Sequence, residues 1–330
     1  GLFELSPFSK FDLKGEKVHE ELQILCTANI PNEPGKIKYT QMLNSDGGIE
    51  TDLTVICIEK NYFRIISSAA NREHDKFHIL KHISKDVKLT DVTEDYCCLG
   101  LFGPKSREMI SSISSDDFSN ENFKFGTAKL VTINDIELWA QRISYVGELG
   151  FELYVKKENA LKLFDILMDK GKSFKLSLCG MHAMDIMRME SGYLHWGHDI
   201  SPEENQFEAG LNFAVSFKKN INFIGRAALE KKRDKKDHKK FKMLILNHSK
   251  EGAPLLLHDE PIYLKDKIVG RTTSGCYSFN YNKNLAFGYI NSGLTSDQID
   301  KEAFEIEVEK KKYSASVITR PLNDKKLSSL

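Results

Sequence analysis

Two carboxylates in this 330-residue chain stand where local pattern asks for a reason. Asp52 follows the turn Ser45-Asp46-Gly47-Gly48 and precedes the apolar run from Leu53 to Ile58. An acid at a strand edge beside apolar neighbours is partly desolvated, which raises its pKa and lets it hold or relay a proton near neutral pH. The same position suits a second role, capping the turn through a backbone hydrogen bond. Glu152 lies between Phe151 and Leu153, and strand alternation puts it on the face opposite both. If that face is buried the carboxylate needs donors, and a heterocycle with adjacent ring N–H and amino groups, the edge of a pterin, satisfies both oxygens. If the face is solvated, Glu152 is an ordinary glutamate on an amphipathic strand. In the third stretch, Gly180 to Ile200, Asp185 and Arg188 are three apart on a helix and spaced to pair. His182, His195 and His198 match no usual ligand spacing, so no metal site is expected. Met181, Met184 and Met187 recur on one helical stripe, read as core filling.

The elements that position these groups follow from periodicity. Helical spacing of Val18, Leu22 and Leu25 predicts a helix from Glu16 to Cys26. Strands are expected at Tyr39 to Asn44, Leu53 to Ile58 and Tyr62 to Ser67, with Glu59-Lys60-Asn61 as a hairpin loop. A helix is expected from Asn71 to Ile83, and a buried strand from Tyr96 to Phe102. Gly103-Pro104 then opens a helix to about Ile113. A hairpin around Asn134-Asp135 joins Leu130 to Ile133 with Ile136 to Ile143. Phe151 to Val155 is a strand, and Ala160 to Asp169 and Gly180 to Gly192 are helices. Helices mixed with hairpins argue for α+β rather than a doubly wound parallel sheet. After about residue 234 short β-type runs dominate: Lys242 to Leu246, Ile262 to Leu264, Leu285 to Ile290, Phe304 to Val308 and Tyr313 to Ile318. They predict a separate small all-β unit, sandwich or barrel, with Glu230 to Lys240 as linker.

Bulk properties narrow the classes. Hydrophobic residues at 41% and charged residues at 28% describe an ordinary globular chain. Lys+Arg and Asp+Glu both total 47, so there is no net positive footprint for nucleic acid or an anionic membrane. The lysine cluster at 231–236 is interrupted by Asp234 and reads as a solvated helix end or linker. The six cysteines form no CxxC pair and read as buried thiols rather than a disulfide or zinc framework. No apolar run approaches the ~18 residues that span a bilayer, and no charged-then-apolar leader opens the chain. GxGxxG, the P-loop and GxSxG are all absent, so no nucleotide or flavin domain is visible in this stretch.

Taken in order, the motifs resemble the glycine cleavage T-protein family. The carriers are Gly1-Leu2-Phe3-Glu4-Leu5-Ser6, YTQMLNSDGGIETDLTV from Tyr39, GPKS from Gly103, YVGELGFELYV from Tyr145 and GMHAMDIMRMESGYLHWGHDI from Gly180. EAGLNFAV from Glu208, FIGRAAL from Phe223, TSGCYS from Thr273, LAFGYI from Leu285 and Arg320-Pro321-Leu322 complete the series. TDLTV and RMESGYLHWGHDI are similar to the dimethylglycine and sarcosine dehydrogenase branch. Pro7, His182 and Met184 depart from patterns within the family, which has His, Arg and Arg there in one branch or the other. The resemblance implies an α+β, three-lobed cloverleaf: two interlaced α+β lobes over residues 1–233 and a C-terminal small β-barrel over 234–330. It also implies a central folate cavity, with Asp52 as the catalytic carboxylate near the reactive nitrogens. Tyr39 and Tyr145 would line the ligand, and Glu152 would anchor the pterin edge.

The function implied is a tetrahydrofolate-binding one-carbon transfer module. A flavin (FAD) domain outside this chain would oxidise an N-methyl amine, and the released methylene would yield 5,10-methylenetetrahydrofolate here. The expected partners are folate, the amine-derived one-carbon unit and that flavin domain, with no nucleic acid and no membrane. The location would be cytoplasmic, or the mitochondrial matrix in a eukaryote. The rivals are a free-standing aminomethyltransferase acting on a lipoyl-carrier protein, a folate-binding protein without turnover, and an S- or O-demethylase of the same fold.

Overall fold

The structure, a computed structural model, describes residues 1–233 and 238–330. The stretch 234–237, inside the expected linker, lies outside the described residues. Among the described residues, seventeen strands make two open sheets and one closed barrel. The chain begins in one sheet, builds the other, then returns. Strand β1 (Leu2–Glu4) belongs to a six-stranded sheet. Strands β2 (Ser9–Lys14), β3 (Ile37–Leu43), β4 (Ile49–Glu59), β5 (Tyr62–Ser67) and β6 (Lys88–Asp91) form a five-stranded sheet in the order β3-β4-β5-β2-β6. Strands β7 (Tyr96–Phe102), β8 (Ala128–Ile133), β9 (Ile136–Gln141), β10 (Gly150–Lys156) and β11 (Leu178–Cys179) then complete the first sheet as β11-β1-β7-β10-β9-β8. That crossing is the interlacing of two α+β lobes. The third lobe is the barrel β12-β15-β14-β13-β16-β17, from strands β12 (Lys240–Leu246), β13 (Pro261–Leu264), β14 (Lys267–Ser278), β15 (Lys283–Ile290), β16 (Ala303–Val308) and β17 (Lys311–Ile318).

Each open sheet has an outer and an inner face, set by alternation. On β4, Leu53, Val55 and Cys57 pack outward with α1 (Val18–Leu25) and with Ile79 of α2 (Arg72–His82). Ile56 and Ile58 face inward. On β10, Phe151, Leu153 and Val155 pack outward with Met109 and Ile110 of α3 (Ser106–Ser111) and Leu163 and Leu167 of α4 (Ala160–Gly171). Tyr154 faces inward and shares one core cluster with Ile56, Ile58, Ile66, Cys98, Phe102 and Met184. The inner faces of the two sheets therefore pack on each other, and whatever polar side chains they carry meet between them.

Several expectations shift. Strand β4 begins at Ile49, so Asp52 is inside a strand rather than beside its turn. The turn is held by Asn44, whose Oδ1 accepts from the backbone N–H groups of Asp46 and Gly48 at 3.0 and 2.9 Å. Strands β2 and β14 carry no hydrophobic run. β2 reads Ser-Lys-Phe-Asp-Leu-Lys and buries Lys10 and Asp12 beside Arg64, so ion pairing stands in for the apolar signal. The methionine stripe is corrected at one end. On α5 (Met181–Glu190), Met184 is buried and Met187 partly so, whereas Met181 is exposed.

Candidate functional site

On β4, Asp52 shares its face with Ile56 and Ile58 and so points between the sheets. Its cross-strand neighbour is Gln41 on β3, whose Nε2 donates to Asp52 Oδ1 at 2.9 Å. Tyr39 stands two residues along from Gln41 on the same strand face. Burial pushes the Asp52 carboxyl up to about 6 against the influence of Tyr39 and Gln41, and the negative charge of Asp75 adds to the rise. The Tyr39 hydroxyl is held well above its ordinary range, first by burial and then by the charge of Asp52. Its ring stacks on Phe213, with centroids 6.1 Å apart and planes at 23°.

Glu152 enters from the other sheet. It is 8% exposed and on the inner face with Tyr154, whose hydroxyl donates to Glu152 Oε2 at 2.7 Å. Gly100 and Gln141 flank it across the strands. Burial pushes its carboxyl up to about 7, opposed by Tyr154 and by the positive charge of buried Lys10. Two acceptors beside these acids are buried and unpartnered, Gln41 Oε1 and Gln141 Oε1. Strand parity puts both on the inner faces.

Tyr145 lies in the loop between β9 and β10. Its hydroxyl donates to the Leu194 carbonyl at 2.8 Å, and its ring stacks on Tyr193 at 6.1 Å and 19°. Burial raises the phenol pKa, and the charge of Asp52 adds to it, so Tyr145 and Asp52 sense each other. Tyr39, Asp52 and Tyr145 are thus brought together, whereas Glu152 stands on the inner face of the facing sheet with Tyr154 and Lys10 as its neighbours. Sequence reasoning missed Gln41, Tyr154 and Phe213. The signal for the first two was available: each sits on the strand face of the acid it serves.

Asp185 and Arg188 pair at 2.8 Å, as their spacing expects. The larger feature is Asp199, fully buried, which receives Arg188 Nη1 at 2.5 Å. Among the described residues no group of three or more His, Cys, Asp or Glu side chains is placed to hold a metal ion. No described helix is long and apolar enough to cross a membrane.

Comparison with known proteins places this arrangement. Residues 1–219 match the GCVT N-terminal domain, and residues 239–324 match the glycine cleavage T-protein C-terminal barrel domain. The chain is 34% identical over 330 residues to 4-methylaminobutanoate oxidase (formaldehyde-forming) of Paenarthrobacter nicotinovorans, across 98% of this chain and 39% of that one. It is 32% identical to the mitochondrial dimethylglycine dehydrogenase of Rattus norvegicus, across 98% of this chain and 37% of that one. It is 29% identical to an aminomethyltransferase of Geobacillus sp. (strain WCH70), across 97% and 86%. The chain therefore spans less than two-fifths of the oxidase and the dehydrogenase. Glycine cleavage system aminomethyltransferase T from Bartonella henselae shares the fold, with a TM-score of 0.86 at 21% identity over 98% of this chain and 86% of that one. The chain belongs to the glycine cleavage T-protein family.

Proposed function

We propose that this chain binds tetrahydrofolate between its two sheets and transfers to it a one-carbon unit released by oxidation of an N-methyl amine, giving 5,10-methylenetetrahydrofolate. The oxidation belongs to an FAD domain outside this chain. Similarity to an N-methyl amine oxidase and a dimethylglycine dehydrogenase supports that assignment. In this reading residues 1–233 hold the ligand and residues 234–330 form the barrel domain that backs it.

The observation that carries the reading is the pair of raised acids on facing sheets, Asp52 and Glu152, with unpaired acceptors beside them. The donor set tests the fit. Glu152 and the Gln41 and Gln141 carbonyl oxygens offer acceptors, and a pterin edge offers ring N–H and amino donors, so the two match. When bound, tetrahydrofolate would supply the nucleophilic nitrogens that take up the one-carbon unit. Glu152 accepts from the pterin edge and sets its register. Tyr39, Phe213 and Tyr145 flank the ligand with aromatic faces. The inter-sheet apolar cluster keeps water from the transferred carbon. Asp52, ionised above about 6, stabilises developing positive charge and takes the released proton.

The test is calorimetric titration of the whole chain with tetrahydrofolate, alongside Glu152→Gln. Binding by the wild type and its loss of tenfold or more in the variant support the reading. No heat from the wild type ends it. With formaldehyde as the one-carbon source, Asp52→Ala should lower product formation above the uncatalysed rate, and an unchanged rate removes Asp52 from its role. Ammonia release from an aminomethylated lipoyl carrier would instead indicate the free-standing aminomethyltransferase.

A further inference from the structure

A buried carboxylate, Asp199, joins the barrel to the turn that holds Tyr145. Asp199 Oδ1 accepts from Thr273 Oγ1 at 2.5 Å and from Ser274 Oγ at 2.8 Å. A regular strand sends neighbouring side chains to opposite faces. Strand β14 avoids this by a bulge: Thr272 pairs with Gly288 and Ser274 with Phe287, which leaves Thr273 as the extra residue. Bulges re-aim side chains, and this one brings two consecutive hydroxyls onto one oxygen. Tyr289 of β15 adds a third contact, its hydroxyl donating to the Asp199 carbonyl at 2.8 Å.

The other oxygen of Asp199 faces the lobes. It accepts from Arg188 Nη1 at 2.5 Å and from the His195 backbone N–H at 2.9 Å. Arg188 Nη1 also donates to the Tyr193 carbonyl at 3.1 Å, and Nη2 to Ser274 Oγ at 2.8 Å. Tyr193, Leu194 and His195 are thereby held on both sides. That same turn supplies the Leu194 carbonyl that takes the Tyr145 hydroxyl, and the Tyr193 ring on which Tyr145 stacks. The centre of this chain of contacts is no loose surface pair: Arg188, Asp199 and Ser274 are 2%, 1% and 6% exposed, and Thr273 is half-buried.

We infer that the β-bulge at Thr273, acting through Asp199 and Arg188, is a positioning device that sets Tyr145 in the folate site. The inference rests on the folate reading. Thr273 and Ser274 touch no ligand in it. They act through the 193–195 turn, and the barrel is in this sense part of the site.

The test is a double-mutant cycle on the full chain with tetrahydrofolate as probe. Thr273→Val with Ser274→Ala should weaken binding about tenfold when Tyr145 is present, and less than twofold in a Tyr145→Phe background, where the hydroxyl to be positioned is gone. Thr273→Ser, which keeps a hydroxyl on the bulge, should bind as the wild type does. An equal loss in both backgrounds, or no loss in either, overturns the inference. A second arm needs no ligand: with 3-fluorotyrosine at position 145, the fluorine resonance should move in the Thr273→Val, Ser274→Ala protein. An unmoved resonance overturns the inference even if tetrahydrofolate binds. If the wild type takes up no tetrahydrofolate, the folate reading fails, while the fluorine arm still decides whether the bulge sets Tyr145.

Discussion

At the scale of single residues, the site stores unfavourable electrostatics. Glu152 is raised from 4.5 to about 7 because burial penalises its charged form. A carboxyl whose folded pKa exceeds its unfolded value holds its contribution to stability below the unfolded value, and loses it as pH climbs through the folded value. Between about pH 4.5 and 7 the wild type should therefore lose up to about 3 kcal/mol from this group. Glu152→Gln removes that slope. Its melting temperature relative to wild type should rise as pH goes from about 5 to about 8, and a gap independent of pH would contradict the assignment. The functional counterpart is Asp52. In the proposed function its ionised form is the competent one, so transfer should increase as pH passes upward through about 6 and then level. Asp52→Asn should abolish that limb and lower the rate by about 10²-fold or more, read in a pH–rate profile.

At the scale of elements, the loop that carries Tyr145 into β10 is tightly constrained at Gly147. Gly147 has φ +68°, and a Cβ there would stand 1.9 Å from Ser191 Oγ and 2.5 Å from Asn323 Nδ2. Both neighbours are buried, and Asn323 Nδ2 donates to the Gly147 carbonyl at 3.0 Å. Gly147→Ala must therefore strain the backbone and displace packed polar groups. A loss of about 2–4 kcal/mol in denaturant titration is expected, with weaker ligand binding because Tyr145 is two residues away. A variant as stable as wild type would show that the loop relaxes freely.

At the scale of the whole molecule, α5 is the seam. Met189 shares a buried cluster with Cys276, Leu285 and Phe287 of the barrel. Glu190 takes Ser278 Oγ at 2.7 Å and Asn280 Nδ2 at 2.8 Å. A core shared this way couples barrel and lobes, so chemical denaturation should be one transition. The two tryptophans, Trp139 and Trp196, lie outside the barrel. Tryptophan fluorescence thus reports chiefly the lobes, whereas far-UV circular dichroism reports all three parts. The two curves should coincide, and a barrel that melts separately would split them.

What the amino-acid order determined by itself was local: several helices of the two lobes, the hairpins, and the face on which Glu152 lies relative to its apolar neighbours. Period-two alternation, helical spacing and turn residues act over a few positions, so they can be read from a string. The ordered motifs added the family and with it the three-lobed plan. Tertiary structure alone decided that the faces bearing Asp52 and Glu152 pack on each other. It also decided that β2 could bury Asp12 because Arg64 arrives from β5 and Lys10 because the Ser6 and Phe8 carbonyls take its ammonium, and that Thr273 is the extra residue of a bulge. Asp199 shows why: its hydroxyl donors lie 74 and 75 residues away. Which groups neutralise a buried charge is settled only when distant strands stack, since desolvation has no cost until the water has left.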